Sequence, residues 1–265
     1  MSTYADLFRY RELFGSLFRR DLEAKYKGTL LGVLWSLANP LLLMAIYLIV
    51  FSLLWQVIDQ DYPGLFLLTG LVLWVFFANS VQAASKSLLE AAPLIRKTRF
   101  PRQLVPLSSV ATNLVAFLVM FATVLVLNFA FLPRVRTIEW VAIPLAVVFV
   151  ALVAGVALAI ACATVVFRDV EHLVGALLLP WFFLTPILYT IDNLPGAAAD
   201  YDWLASVLRY VNFLAPAVDA IRDPLFFGEA PRALDVVYLC VAALIALALG
   251  AFAFSRVDDR IAVEL

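Results

Sequence analysis

The chain has 265 residues, 65% of them hydrophobic and only 15% charged, with a net charge of −1. Soluble domains average roughly 45–50% apolar and 25% charged residues, so this composition excludes an ordinary soluble globular protein and points to one membrane domain. Two cysteines, Cys162 and Cys240, each alone in an apolar run, exclude a disulfide framework and a cysteine metal cluster and read as small buried hydrophobes.

Residues 1–27 are charged throughout and lack a short apolar core with a small-residue cleavage site, so they do not read as a cleaved signal peptide. Residues 4–26 predict an amphipathic helix. At about 100° per residue, Leu7, Tyr10, Leu13, Phe14, Leu17, Phe18 and Leu22 share one half of the wheel, and Arg9, Glu12, Arg19, Arg20 and Glu23 the other. Such a helix lies in the interface plane with its apolar face at the acyl boundary. Plain anchoring and contact with anionic lipid headgroups use the same residues. Arg19, Arg20, Lys25 and Lys27 crowd the point where the chain enters the bilayer, and Arg and Lys there suit a phosphate headgroup.

Six uncharged runs follow: Gly28–Ile58, Tyr62–Ser85, Gln103–Pro133, Trp140–Phe167, Leu173–Ile191 and Val236–Ser255. A helix of about 20 residues crosses a ~30 Å hydrocarbon core, and open backbone cannot face lipid. The expected fold is therefore an all-α membrane protein. It has six transmembrane helices per subunit, an N-terminal amphipathic interface helix, and short external helices between spans five and six. As one membrane domain over 1–265, the segments are 1–27, spans one to five over 28–191, an external segment 192–235, span six over 236–255 and a tail 256–265. Asn39-Pro40 falls inside the first run, where proline kinks a helix and the freed backbone must face protein or a cavity.

Six spans place both termini on one side. That side then holds 14 Lys and Arg residues and the other side 5, a positive-inside bias that assigns the termini to the cytoplasm. Arg134 and Arg136 are the awkward pair, both on a short outer connection. Three connections carry content. Lys86–Arg102 is cytoplasmic and combines Leu94, Ile95 and Phe100 with Arg96, Lys97, Arg99 and Arg102, too apolar for a plain solvated loop. Arg168–His172 (Arg168, Asp169, Glu171, His172) is short and also cytoplasmic. The external segment predicts one helix around Ala205–Asn212 and, after Pro216, another over Ala217–Phe227. Asp219, Arg222 and Asp223 are spaced to share a face of that second helix, which suits either a hydrogen-bonded cap or a solvated surface.

Trp35, Tyr47, Phe51, Trp55, Trp74, Phe76, Phe77, Trp181, Phe182, Phe183 and Tyr189 crowd the spans. An interfacial aromatic belt explains Trp35, Trp55 and Trp181; the clustered pairs and triple also suit a path for sugar rings. There is no phosphate-binding loop of the G-x-x-x-x-G-K-[ST] type. The single histidine, His172, has no nucleophile partner, and the six runs contain no Asp or Glu, which disfavours intramembrane acid–base chemistry. Asn39, Asn79, Gln82, Asn113 and Asn128 are the main polar groups of the runs and suit interhelical hydrogen bonds.

Four stretches, DLEAKYKGTLLGVLWSLANPLLLMAIYLIVFS, PLIRKTRFPRQLVPLSSV, VVFRDVEHLVGALLLPWFFLTPILY and VNFLAPAVDAIRDPLFFG, occur in this order. Together they resemble permeases of ABC type 2 exporters for polysaccharides and polyol phosphates. The resemblance covers essentially the whole chain. It implies a subunit without catalytic or metal residues that binds a second copy of itself and two ATP-binding cassette subunits, which hold the ATP and Mg. It implies export of a polyprenyl-diphosphate-linked, O-antigen-like glycan across a bacterial inner membrane, with no nucleic-acid partner. By the same resemblance, Leu94, Ile95, Arg96, Lys97, Arg99, Phe100, Arg168, Asp169, Glu171 and His172 dock on the ATPases. Trp35, Tyr47, Phe51, Trp74, Phe77, Trp181, Phe182, Phe183 and Tyr189 line the channel. Asn212, Pro216, Asp219, Arg222 and Asp223 form an external gate. An ABC type 2 exporter of teichoic acid, a drug or another lipid, and a membrane enzyme of lipid or glycan metabolism, are the alternatives.

Overall fold

The computed structural model describes residues 10–28, 35–54, 60–98, 100–192, 194 and 201–264. Regular structure among them is helical. α1 spans Arg11–Tyr26. α2 spans Trp35–Tyr47 and continues as a π-helical turn over Leu48–Leu54. α3 (Pro63–Glu90) starts on a proline, which is pre-shaped for a first turn. α4 (Ala92–Lys97) is a short elbow after it, and α5 spans Leu104–Phe131. Two 3₁₀ turns, Pro133–Val135 and Glu139–Val141, lead into α6 (Ala142–Val166). α7 spans Val170–Leu184 and α8 Asp202–Tyr210. α9 (Leu214–Arg222) extends as a π-helical turn over Asp223–Phe227, and α10 spans Ala233–Glu264.

Four of these are long and apolar enough to cross a membrane: α3, α5, α6 with its preceding turn, and α10. α8 and α9 with its extension form a pair bent by 90°, which makes a fifth if counted as one broken span. The expected count of six is not reached among the described residues. For the first run the reason is coverage, since 29–34 and 55–59 lie outside the described residues. For the fifth run it is chemistry. Thr185 precedes Pro186, a position pushed away from helical backbone, and Thr185 is extended. α7 therefore stops after 15 residues, about 22 Å by the helical rise, short of the ~30 Å core.

α3 is the hub. It is buried over most of its length and packs against α2, α5, α6, α7 and α9. α2 leans on it through Leu43, Met44, Tyr47, Leu48 and Phe51, with Pro40 buried inside the helix, as the Asn39-Pro40 kink required. α6 and α10 make the most extensive pairing. Glycine permits it: a Cβ at Gly155 would collide with the backbone of Ala246 and Leu247, and one at Gly250 would lie 2.9 Å from the Gly155 carbonyl oxygen.

A second apolar cluster closes the basic end of the bundle, where Lys86, Arg96 and Lys97 lie. Leu17 of α1, Leu88, Ile95, Leu104, Val165 and Phe254 meet there, with Tyr10, Leu13 and Phe14 packed against it. α1 thus applies its apolar side to the bundle, mainly to α5. Residues 1–9 of the expected 4–26 helix lie outside the described residues.

At the opposite end Arg134 and Arg136 find partners. Arg134 donates to the Phe226 carbonyl at 2.9 Å and sits over the Phe226 ring, and Arg136 donates to the Phe129 carbonyl at 3.0 Å. They tie the turn between α5 and α6 to α9's extension and to α5, which gives this pair a structural role. Gly228 closes that extension with φ +72, and a Cβ there would strike the Arg134 carbonyl. α9 begins at Leu214, three residues before the expected start, and is buried in the protein.

Candidate functional site

A polar cavity of about 690 Å³ lies at the basic end between α1, α3 and α5. α1 contributes Arg20, Asp21 and Lys25. Arg20 binds Asp21 at 2.8 Å, and Asp21 accepts the Ser108 hydroxyl at 2.8 Å. Lys25 donates to Asn113 Oδ1 at 2.7 Å, and burial pushes its pKa down from the usual lysine value. Asn113 Nδ2 donates to the Asn79 carbonyl at 3.2 Å, so this residue staples three helices. α3 adds Asn79, Gln82 and Lys86, a stripe at three- and four-residue spacing.

Of the four expected headgroup cations, Arg20 and Lys25 enter this cavity. Arg19 and Lys27, with Arg20, line a shallower exposed groove on α1. Asn79, Gln82 and Asn113 were expected to join helices. Asn113 does so, and Asn128 does so elsewhere, donating to the Leu225 carbonyl at 2.8 Å. The side-chain amides of Asn79 and Gln82 instead face the cavity. Their spacing with Lys86 was the available sequence signal; the opposing α1 wall was not legible without packing.

In the elbow, Pro93, Arg96 and Lys97 are exposed, Leu94 and Phe100 are half-buried, and Arg99 lies outside the described residues. Ile95 differs from its expected role as an exposed anchor. It is 7% exposed and packs in the basic-end cluster beside Leu88, Leu104 and Val165. Six residues are too few for periodicity to distinguish the inner face from the outer. Arg168, Asp169 and His172 are exposed and Glu171 half-buried at the start of α7, directly after the α6 end that shares this cluster.

Most of the singled-out aromatics are brought into one network across α2, α3 and α7. Tyr47 meets Phe51 at 5.9 Å and Phe182 at 5.4 Å; Phe182 meets Trp74 at 5.5 Å and Phe183 at 5.2 Å. Trp74 meets Phe77 at 5.8 Å, and Phe77 meets Trp181 at 5.4 Å. Phe77 and Phe182 are buried inside the subunit, Phe183 is exposed, and the Tyr189 hydroxyl donates to the Leu184 carbonyl at 3.1 Å. Trp35 stands apart and exposed, and Trp55 lies outside the described residues.

The break after α7 leaves backbone groups that the external segment satisfies. Asn212 Nδ2 donates to the Leu184 carbonyl at 3.1 Å and to Thr185 Oγ1 at 3.0 Å. Asn212 Oδ1 accepts from Trp181 Nε1 at 2.9 Å and from the Leu214 amide at 3.1 Å. Pro216 is buried in the first turn of α9. Arg222, 1% exposed, donates to the carbonyls of Pro186 and Ile187, the latter at 3.2 Å, and lies 4.3 Å over the Phe66 ring. Gly70 makes room, since a Cβ there would strike the guanidinium. Arg222 therefore points inward, away from the solvated surface that its spacing also allowed. Asp219 and Asp223 line a neighbouring cavity of about 220 Å³ with Asp192, Arg209 and Arg232. Arg209 lies 3.1 Å from Asp192 and 3.9 Å from Asp219, and Arg232 lies 2.6 Å from Asp192, whose carboxylate raises the Arg232 pKa above its ordinary value. None of Asp192, Arg209 and Arg232 stood out in the sequence.

Among the described residues no group of His, Cys, Asp and Glu is arranged to hold a metal ion. The sequence profile of the ABC-2 type transporter family matches residues 12–226. An O-antigen export system permease protein RfbA of Myxococcus xanthus is 36% identical over 196 residues, 73% of this chain and 74% of the relative. Two proteins of the same name from Klebsiella pneumoniae are 33% and 31% identical over 253 residues, each covering 95% of this chain and 94% of the relative. A multi-pass helical membrane protein matched over this length belongs to the ABC-2 type transporter family.

Proposed function

We propose that the chain is the membrane-spanning subunit of an ATP-driven exporter that moves a polyprenyl-diphosphate-linked, O-antigen-like polysaccharide out of the cytoplasm. The observation that carries the reading is the near full-length similarity to permeases named for O-antigen export. In this reading the subunit has six spans with both termini cytoplasmic, sits in the inner membrane and pairs with a second copy to enclose the channel. Two separate ATP-binding subunits hydrolyse the ATP. Arg19, Arg20, Lys25 and Lys27 meet the lipid headgroup, and the exposed end of the aromatic network, at Phe183, contributes to the path. α8 and α9, with Asn212, Pro216, Asp219, Arg222 and Asp223, close the outer end.

Coupling is assigned to α4 together with Arg168–His172. The exposed Pro93, Arg96 and Lys97 offer a cationic rim, and half-buried Leu94 and Phe100 an apolar centre, a usual arrangement for a binding hot spot. Ile95 roots the elbow in a cluster shared by α1, α3, α5, α6 and α10, so a push on α4 reaches five helices. Expressed with its ATP-binding partner in a bacterium lacking its own O-antigen permease, the chain is expected to restore surface polysaccharide. The variant L94S/R96E/K97E is expected to keep its yield and lose more than about 90% of export, because charge reversal at a rim repels the partner. Ile95→Ser, by contrast, is expected to lower the yield of folded protein, since it places a hydroxyl in the apolar cluster. Full export by the triple variant would move the coupling site to Arg168–His172.

A further inference from the structure

The cavity between α1, α3 and α5 is polar beyond what helix packing requires. Asn113 is fully engaged: Oδ1 accepts from Lys25, and Nδ2 donates to the carbonyls of Asn79 and Ser109. The neighbouring side-chain amides of Asn79 and Gln82 are exposed into the cavity and make no hydrogen bond among the described residues. Polar groups on a spanning helix such as α3 are costly and mark functional surfaces. Ala24 on α1 and Ala83 on α3 keep the space between the walls open. At about 690 Å³ the volume falls within the range of small-molecule sites, about 300–1,000 Å³.

The lining also fixes the chemistry. Arg20, Lys25 and Lys86 line it with Asp21 and Glu90; Arg20 pairs with Asp21 at 2.8 Å and Lys86 with Glu90 at 3.4 Å, so the lining keeps one net positive charge and its cations Arg20 and Lys25 stand on the α1 wall. A phosphate offers only acceptors, which ammonium and guanidinium groups satisfy. A carboxamide presents a donor pair and an acceptor together, and its natural complement is a hydroxyl, which both gives and takes a hydrogen bond. Cations along the α1 wall and amides along the α3 wall therefore match a ligand with phosphate at one side and sugar hydroxyls at the other.

We infer that this cavity binds the sugar-phosphate headgroup of a lipid, with the phosphate at Arg20 and Lys25 and the first sugar against the amides of Asn79 and Gln82. The inference rests on the exporter reading for the source of such a lipid, and it adds a sugar-reading wall to the expected row of headgroup cations. It separates two phosphate-bearing candidates, a glycosylated polyprenyl diphosphate and a bulk anionic phospholipid.

The test uses the full chain in phosphatidylcholine nanodiscs and native mass spectrometry with three probes: undecaprenyl diphosphate carrying one sugar, undecaprenyl diphosphate, and phosphatidylglycerol. The sugar-bearing probe is expected to bind most tightly. N79L/Q82L is expected to weaken it about tenfold, the scale of one or two lost hydrogen bonds, and to leave bare undecaprenyl diphosphate unchanged. Neither amide supports the fold, so folding should survive; Ala24→Phe, which fills the cavity from the other wall, is expected to displace both diphosphates. Equal binding of the sugar-bearing probe to wild type and N79L/Q82L would overturn the inference, as would phosphatidylglycerol competing with it on equal terms. A chain that binds the probes as stated but restores no surface polysaccharide would overturn the exporter reading instead.

Discussion

Replacing Arg222 by leucine is expected to lower the thermal unfolding midpoint of the purified chain by roughly 10 °C, the largest stability effect of any single substitution in the external segment. Arg222 is 1% exposed, and its guanidinium serves two backbone carbonyls, those of Pro186 and Ile187. Those carbonyls lie just past Thr185, where the chain leaves α7. Each buried acceptor left without a donor costs about 1–3 kcal/mol, and the stacking over Phe66 at 4.3 Å adds up to ~2 kcal/mol in a desolvated site. The expected loss is thus about 2–8 kcal/mol. Arg222→Lys is expected to recover part of it, because an ammonium can serve one carbonyl but lacks the planar fork that reaches both. Gly70→Ala provides an independent check from the other side, since its methyl would strike the same guanidinium. Thermal unfolding followed by intrinsic fluorescence measures all three. An unchanged midpoint for Arg222→Leu would show that α9 is not keyed to the break after α7.

Gly155→Leu is expected to separate α6 from α10 and to reduce the yield of monodisperse protein severely. A single added Cβ already meets the backbone of Ala246 and Leu247, and backbone cannot rotate aside as a side-chain tip can. Overpacking a tight core typically costs about 1–3 kcal/mol and more where helices must move apart. In a bilayer the close approach of small residues is itself what holds the pair, so the loss is not repaid by burying the larger side chain. Gly175→Leu, at a glycine with open space around its Cβ position, is the matched control and is expected to behave as wild type. Size-exclusion profiles of the two variants in the same detergent give the comparison.

These residues show where the sequence was informative and where it was not. Uncharged runs located α3, α5, α6 and α10 because lipid and a buried core demand the same thing of a long helix, an absence of charge. The same rule drew the fifth run, Leu173–Ile191, as one unbroken helix. Counting charge passed over Thr185-Pro186, whose backbone restriction ends α7 at Leu184. Arg222 shows the limit from the other direction. Its spacing with Asp219 and Asp223 allowed a charged outer face, whereas the structure buries it, because the carbonyls freed by the α7 break need a donor. Ile95 could not be oriented from six residues of α4. Asn79, Gln82 and Lys86 were visible as a stripe on α3, but a stripe becomes a cavity only once α1 stands opposite with Arg20 and Lys25. The aromatics were found by residue type and prove to be largely one connected network, although Phe77 and Phe182 are spent on packing within the subunit.

The most direct test of the central claim is translocation in proteoliposomes that hold this chain with its ATP-binding partner and a radiolabelled polyprenyl-diphosphate-linked polysaccharide. With ATP, the polysaccharide is expected to become protected from an added glycosidase in inside-out vesicles, at a rate that falls to background with a non-hydrolysable nucleotide. Polysaccharide that stays fully digestible while ATP is being hydrolysed would contradict the claim that this permease exports a lipid-linked glycan.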